Sequence, residues 1–163
     1  MKHYEKPKKF DYNLIAIGAG SAGLVSSFIA AAVNAKVALV EKHKMGGDCL
    51  NFGCVPSKAI IKSSKVVSYM KRAEEFGLKT VDYKFEFSEV MDRVHRVISK
   101  VAPHDSVERY TSLGVDCKQG EAKILSPYKV QVGDEILTTR NIVIATGAAP
   151  FVPPIKGLSL IHI

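Results

Sequence analysis

Apolar positions along this chain follow more than one period. Residues 13–17 (Asn-Leu-Ile-Ala-Ile) form a short apolar run of strand length, and residues 36–40 (Lys-Val-Ala-Leu-Val) form a second. Such runs suit strands buried on both faces, and the helical pattern of residues 24–34 between them completes a β-α-β unit. A longer helix is expected downstream, with apolar residues at Ala59, Ile60, Ile61, Val66, Val67, Met70, Ala73 and Phe76, opening at Pro56 and ending near Gly77. Residues 88–113 read as a further helical region interrupted at Pro103. Residues 115–124, 129–132 and 135–139 then read as short strands separated by Pro127 and Gly133-Asp134, a small antiparallel excursion. Residues 141–144 re-enter the parallel sheet. The pattern predicts an α/β protein.

Size and charge narrow this only slightly. With 163 residues, 47% of them hydrophobic, the chain can bury one ordinary core, so a single domain or part of a larger one is expected. No apolar run approaches membrane-spanning length and the N-terminus lacks a signal-peptide core, which points to the cytoplasm. The formal charge of +7 does not imply nucleic acid, because the basic residues crowd a tail and one solvated helix face. Residues 1–10, with Lys2, Lys6, Lys8 and Lys9 around Pro7, have no apolar period and are expected to be a flexible basic tail.

Candidate chemistry begins where the first strand ends. Residues 18–23 are Gly18, Ala19, Gly20, Ser21, Ala22 and Gly23, followed directly by the helical stretch. In such a turn the first glycine permits the bend and the second lets backbone approach a pyrophosphate. The third lets helix and strand pack closely, while the helix N-terminus faces the phosphates. The second strand ends in Glu41, placed to accept hydrogen bonds from both ribose hydroxyls of an adenosine. A dinucleotide with an unphosphorylated adenosine ribose is expected, and FAD and NAD both qualify on this evidence of spacing.

Five residues beyond Glu41 begins a glycine-studded stretch, residues 46–58, that holds Cys49 and Cys54. On a regular helix, positions i and i+5 lie about 7.5 Å apart along the axis and about 140° apart around it. Their Cα atoms would be roughly 8–9 Å apart, beyond the ~7 Å that a disulfide tolerates. The pair can bridge only if the segment is locally unwound, and Gly53 is the residue placed to allow that. Cys54 opens a helix with Lys58 one turn on, a setting that favours a reactive thiol. Zinc is disfavoured, since ligand spacings are shorter and no second Cys/His pair follows. A carrier that passes two electrons to an adjacent disulfide through a thiolate complex favours FAD over a nicotinamide. Cys117, alone in a strand, reads as a core residue, and His95 and His104 as structural.

Together these residues resemble the N-terminal part of the class I pyridine nucleotide-disulfide oxidoreductases, which include dihydrolipoamide dehydrogenase, glutathione reductase and mercuric reductase. The resemblance is carried by Gly47, Cys49, Leu50, Asn51, Gly53, Cys54, Val55, Pro56, Ser57 and Lys58. Asp48, with residues 103–109, is similar to a mercuric reductase-like branch. The resemblance implies a glutathione-reductase-type FAD-binding Rossmann-like fold, here incomplete. It further implies that Cys49 is the interchange thiol meeting substrate, that Cys54 stacks over the flavin, and that Lys58 stabilises the reduced flavin. Gly18, Gly20, Ser21, Ala22, Gly23, Glu41, Lys42, Gly47, Asp48, Cys54, Lys58 and Ala122 are its expected FAD contacts, with a second turn at Ala145, Thr146 and Gly147. No metal site is expected.

The resemblance spans residues 11–157, leaving 158–163 as a terminal tail, and no NAD(P)H-binding or dimerisation domain is expected within the chain. None of His3, His43, His95, His104 and His162 matches the family's general acid/base. The expected activity of the intact protein, a homodimer, is electron transfer from NAD(P)H through FAD to the Cys49–Cys54 disulfide and on to a disulfide or metal-ion substrate. The 163 residues alone are not expected to turn over. Two alternatives are a non-catalytic FAD/ADP-binding module and a fragment of an NAD-dependent dehydrogenase with incidental cysteines.

Overall fold

The computed structural model describes residues 4–79, 82–149 and 151–157; His3, Pro150 and residues 158–163, including His162, lie outside the described residues. Strand β1 (Tyr12–Ile17) leads into helix α1 (Ser21–Ala32) and strand β2 (Val37–Glu41). Helices α2 (Gly47–Asn51), α3 (Cys54–Lys71), α4 (Phe87–Val101) and α5 (Val107–Ser112) follow, then strands β3 (Val115–Gln119), β4 (Ala122–Ser126), β5 (Lys129–Val132) and β6 (Glu135–Ile144).

The six strands form a sheet in the order β3-β2-β1-β6-β5-β4. β3, β2, β1 and the second half of β6 run parallel, and Ile15 lies opposite both Ala38 and Ile142. β4, β5 and the first half of β6 form the antiparallel excursion. Burial on both faces explains the continuous apolar runs. Leu24 of α1 and Tyr110 of α5 pack on Ala16, Val37, Leu39 and Val115 on one face. On the other, Ile15, Ile17, Ala38 and Val40 meet Val130, Val132 and Leu137. Ile15, Val37, Leu39 and Val40 are fully buried, each worth roughly 1.5–3 kcal/mol relative to exposure.

Two expectations about the strands are corrected. Residues 135–139 and 141–144 are not separate strands: β6 is continuous and exchanges antiparallel for parallel partners along its length. Polar side chains stabilise that exchange. The Thr138 N–H and hydroxyl both donate to the Asp11 carboxylate, at 2.8 and 2.6 Å, and the buried Thr139 hydroxyl donates to the Asn141 carbonyl at 2.9 Å. Residues 115–124, expected as one strand, are instead two. The break is at Gly120, whose φ of +149° turns the chain while its N–H donates to the Glu41 carbonyl at 2.9 Å.

The helices sit where expected, but one face does not. α3 ends at Lys71, and a 3-10 turn, Ala73–Phe76, carries the chain to Gly77 in the left-handed region. α3 packs chiefly on α4 and α2, with the Arg93 guanidinium donating to the Ala59 carbonyl at 2.7 Å. Of the apolar residues expected to form its core face, Ala59 and Ala73 are buried, whereas Ile61 and Phe76 are 56% and 58% exposed. Among the described residues, no helix is long and apolar enough to cross a membrane.

Candidate active site

The C-terminal ends of β1, β2 and β6 open into one cleft of about 390 Å³. Gly18 follows β1 with φ +103°, and a Cβ there would stand 2.3 Å from the Ala145 carbonyl oxygen. A Cβ on Gly23 would stand 1.7 Å from the Gly18 carbonyl oxygen, so only glycine lets α1 enter this close to β1. Gly20 is different. A Cβ on it would meet only the Gly47 Cα, at 3.8 Å, so its missing side chain leaves room along the cleft.

Gly20 caps α1 without a side-chain hydrogen bond, and no acidic residue lies in the first helical turn. The N–H groups of that turn have no acceptor within the helix, and with the helix dipole they favour an anion such as a pyrophosphate. The residues present therefore fit the phosphate portion of a dinucleotide. Ser21 and Ala22 are exposed at this helix end, while Gly23 is buried beneath it.

Glu41 stands beside this cradle with its carboxylate fixed by backbone. Oε2 accepts from the Ala19 N–H at 2.6 Å and Oε1 from the His43 N–H at 2.8 Å. Each oxygen retains further lone-pair capacity for ribose hydroxyls. Ala122, at the start of β4, does not line this cleft. It borders a neighbouring cavity of about 640 Å³ with Gln119, Gly120 and Gly133. The Gly120–Glu41 hydrogen bond joins the two spaces.

The cysteine turn docks directly on the glycine turn. The Gly46 N–H donates to the Ala19 carbonyl at 2.9 Å, and a Cβ on Gly47, at φ +53°, would stand 2.6 Å from the Gly20 Cα. Asn51 braces the turn from inside, its amide donating to the Gly47 and Met45 carbonyls at 2.8 and 3.1 Å. The predicted unwinding falls at Gly53, where φ −117° and ψ −102° separate α2 from α3. The Phe52 and Gly53 N–H groups both donate to the Asp48 carbonyl, at 2.8 and 2.6 Å.

Cys49 therefore lies half-buried in α2 and Cys54 exposed at the first position of α3, both as thiols. Cys49 donates to the Cys54 sulfur, and this hydrogen bond, with burial, pushes the Cys49 thiol above the usual range. The Ser21 hydroxyl acts on the Cys49 thiol in the opposite sense. Cys117 is separate: it packs beneath α1 and α5, and burial raises its thiol.

Among the expected cofactor contacts, Gly18, Gly20, Glu41, Gly47, Asp48, Ala145, Thr146 and Gly147 line the cleft together. Lys42 and Lys58 are exposed, and neither they nor Cys54 line it. His43, Lys44, Asn51 and Phe52 do line it and were not singled out from sequence as cofactor contacts. Asn51 was visible inside the cysteine motif; His43 and Lys44 carry no signal beyond following Glu41. Among the described residues, no group of three His, Cys, Asp or Glu could hold a metal ion.

A largely parallel α/β sheet on which a glycine turn, an acidic strand end and a thiol-bearing helix break meet in one cleft defines a dinucleotide-binding redox domain. Residues 12–162 match the family model described as pyridine nucleotide-disulphide oxidoreductase, and the chain belongs to that FAD-dependent, NAD(P)H-using family. It is 39% identical over 149 residues to a dihydrolipoyl dehydrogenase of Acholeplasma laidlawii, covering 91% of this chain and 44% of that protein. It is 36% identical over 156 residues to the chloroplastic dihydrolipoyl dehydrogenase 2 of Arabidopsis thaliana, covering 94% of this chain and 27% of that protein. A mercuric reductase of Staphylococcus aureus is 31% identical over 149 residues, which cover 91% of this chain and 27% of that protein. The chain thus spans less than half the length of these relatives.

Proposed function

We propose that this chain holds FAD in the cleft and stores electrons in the Cys49–Cys54 pair on their way to a disulfide or soft-metal-ion substrate. Glu41 would accept hydrogen bonds from the adenosine ribose, and the free N–H groups in the first turn of α1 would meet the pyrophosphate. Ala145, Thr146 and Gly147, which line the same cleft, would hold the cofactor beside Gly18, and Ala122 in the neighbouring cavity would meet the adenine. Lys42 and Lys58 close on the cofactor from outside the cleft lining. FAD, when bound, supplies a two-electron carrier between NAD(P)H and the thiol pair.

The chain's own chemistry is thiol–disulfide exchange. Reduction of the Cys49–Cys54 disulfide takes two electrons and two protons and yields two thiols. Cys49, as thiolate, attacks one sulfur of a substrate disulfide, forming a mixed disulfide and releasing the first product thiol. Cys54 then attacks the Cys49 sulfur, which re-forms the internal disulfide and releases the second. Ser21 stabilises the Cys49 thiolate during the exchange. In the whole protein this proceeds in a cytoplasmic homodimer.

The observation that carries this reading is the docking of the cysteine turn on the glycine turn, through the Gly46–Ala19 hydrogen bond and the Gly47–Gly20 approach. It brings the cysteine turn alongside the glycine turn. For the 163 residues alone the proposal is narrower, namely cofactor binding and electron storage without steady turnover, since the match reaches less than half of each relative. Equilibrium dialysis with FAD, ADP and NAD tests the assignment. FAD should bind more tightly than ADP or NAD, and Glu41→Ala should weaken FAD and ADP alike. NAD binding in preference to FAD would overturn it.

A further inference from the structure

A second charged pocket lies at the other end of the sheet. Its volume is about 200 Å³, and it is walled by Lys8, Lys9 and Phe10 from the segment before β1, Lys36 before β2, and Arg140 within β6. β1 is six residues long, so this pocket and the dinucleotide cleft are separated by about 20 Å of strand.

Four solvent-exposed cations, Lys8, Lys9, Lys36 and Arg140, surround one carboxylate there, and one oxygen of that carboxylate is engaged by Thr138. Asp11 Oδ2 accepts from both the Thr138 N–H and hydroxyl, and these hydrogen bonds hold its pKa below the usual carboxylate value. Two of the cations are held by aromatic faces. The Arg140 guanidinium lies 5.9 Å from the Phe10 ring centre, and the Lys36 ammonium 5.1 Å from that of Tyr12. Phe10 in turn packs on Tyr128, with ring centres 6.0 Å apart.

The floor is also braced. The Lys36 N–H donates to the Asn13 side chain at 2.8 Å, and the Asn141 amide donates to the Asn13 carbonyl at 3.1 Å, which ties β1, β2 and β6 together beneath the cations. Cation–π contact orients a charged group without neutralising it, and a guanidinium beside ammonium groups matches phosphoryl oxygens. A volume of about 200 Å³ corresponds to roughly six or seven waters at ~30 Å³ each, room for a pair of phosphoryl groups but not for a whole dinucleotide.

We infer that this pocket binds a pyrophosphate group, free or as the phosphoryl tail of a nucleoside diphosphate, independently of the dinucleotide cleft. The site requires neither FAD nor the thiols.

Amide-resolved NMR titration of the full chain with inorganic pyrophosphate and with ADP tests it, because the two ends of β1 are then observed separately. Pyrophosphate should cause saturable shifts at Asn13, Lys36 and Arg140. Lys36→Gln with Arg140→Gln should weaken these at least about tenfold while leaving shifts at Gly18, Gly20 and Gly47 unchanged. Lys8→Gln with Lys9→Gln, in a segment outside helix and strand, should weaken them less. Tighter binding of ADP, with shifts extending to the Phe10 and Tyr12 rings, identifies a nucleotide source; equal binding identifies the inorganic ion. Shifts confined to the glycine turn, or shifts indifferent to both variants, overturn the site. So does a single-stranded oligonucleotide acting at lower concentration than pyrophosphate, which would make the pocket part of a nucleic-acid surface.

Discussion

Replacing Gly47 by alanine tests how closely the cysteine turn and the glycine turn must approach. The added Cβ would stand 2.6 Å from the Gly20 Cα, where non-bonded carbons settle at about 3.5–4.0 Å. One turn must therefore retreat by about 1 Å. Gly47 has φ +53°, and a left-handed conformation costs an L residue roughly 1–2 kcal/mol. Forcing two packed segments apart adds about 1–3 kcal/mol. The sum, about 2–5 kcal/mol, divides between fold and cofactor site, since Gly20 belongs to both. If only the lower part falls on binding, FAD affinity drops roughly 30-fold, at ~1.4 kcal/mol per decade. Gly77→Ala is the control: its φ is +72° with nothing within 4 Å of the new Cβ, so it carries the backbone cost alone. Urea unfolding of both variants, with FAD titration of each, separates the effects. Equal FAD affinity in the two variants would refute the close-approach argument.

Other consequences are simpler to state. Cys49 titrates high chiefly because it donates to the Cys54 sulfur, so Cys54→Ser in a Cys117→Ser background should move the pH profile of Cys49 alkylation by iodoacetamide to lower pH. An unchanged profile would contradict the pairing. The Asp11 pKa is depressed by Thr138, so its contribution to stability is present above the usual carboxylate pKa and is lost as pH falls through the folded value. The stability gap between wild type and Asp11→Asn, followed by urea unfolding, should therefore close on acidification; a gap independent of pH contradicts this. Arg93 donates to the Ala59 carbonyl at 2.7 Å; Arg93→Met should cost about 1.5–3 kcal/mol in urea unfolding, as expected for a charged hydrogen bond, whereas a loss below a few tenths would mean that α3 and α4 dock without it.

Much of this architecture was legible because its causes are local. The runs around Ile15 and Leu39 announce buried parallel strands, and the glycines at 18, 20 and 23 have no ordinary reason to crowd a strand end except close backbone approach. Gly53 could be read as the point of unwinding because a regular helix keeps i and i+5 too far apart. What was not legible depends on partners distant in sequence. β6 is continuous because Asp11, 127 positions from Thr138, supplies the acceptor at the change of partners. The break at Gly120 is set by the Glu41 carbonyl. The exposed apolar face of α3 could not be foreseen either, because periodicity states that a helix has an apolar face but not which element meets it. His43 and Lys44 reach the cleft through the path of the loop after Glu41, and no pattern in their residue types announces it.

In the proposed function, FAD and the Cys49–Cys54 pair act as one electron store. Anaerobic titration of the oxidised, FAD-loaded chain with dithionite, followed by flavin absorbance and by counting free thiols, tests this most directly. The wild type should take up two electron equivalents beyond those the flavin itself accepts, with Cys49 and Cys54 appearing as thiols, and Cys54→Ser should take up only the flavin's share. Equal uptake by the two proteins would contradict it.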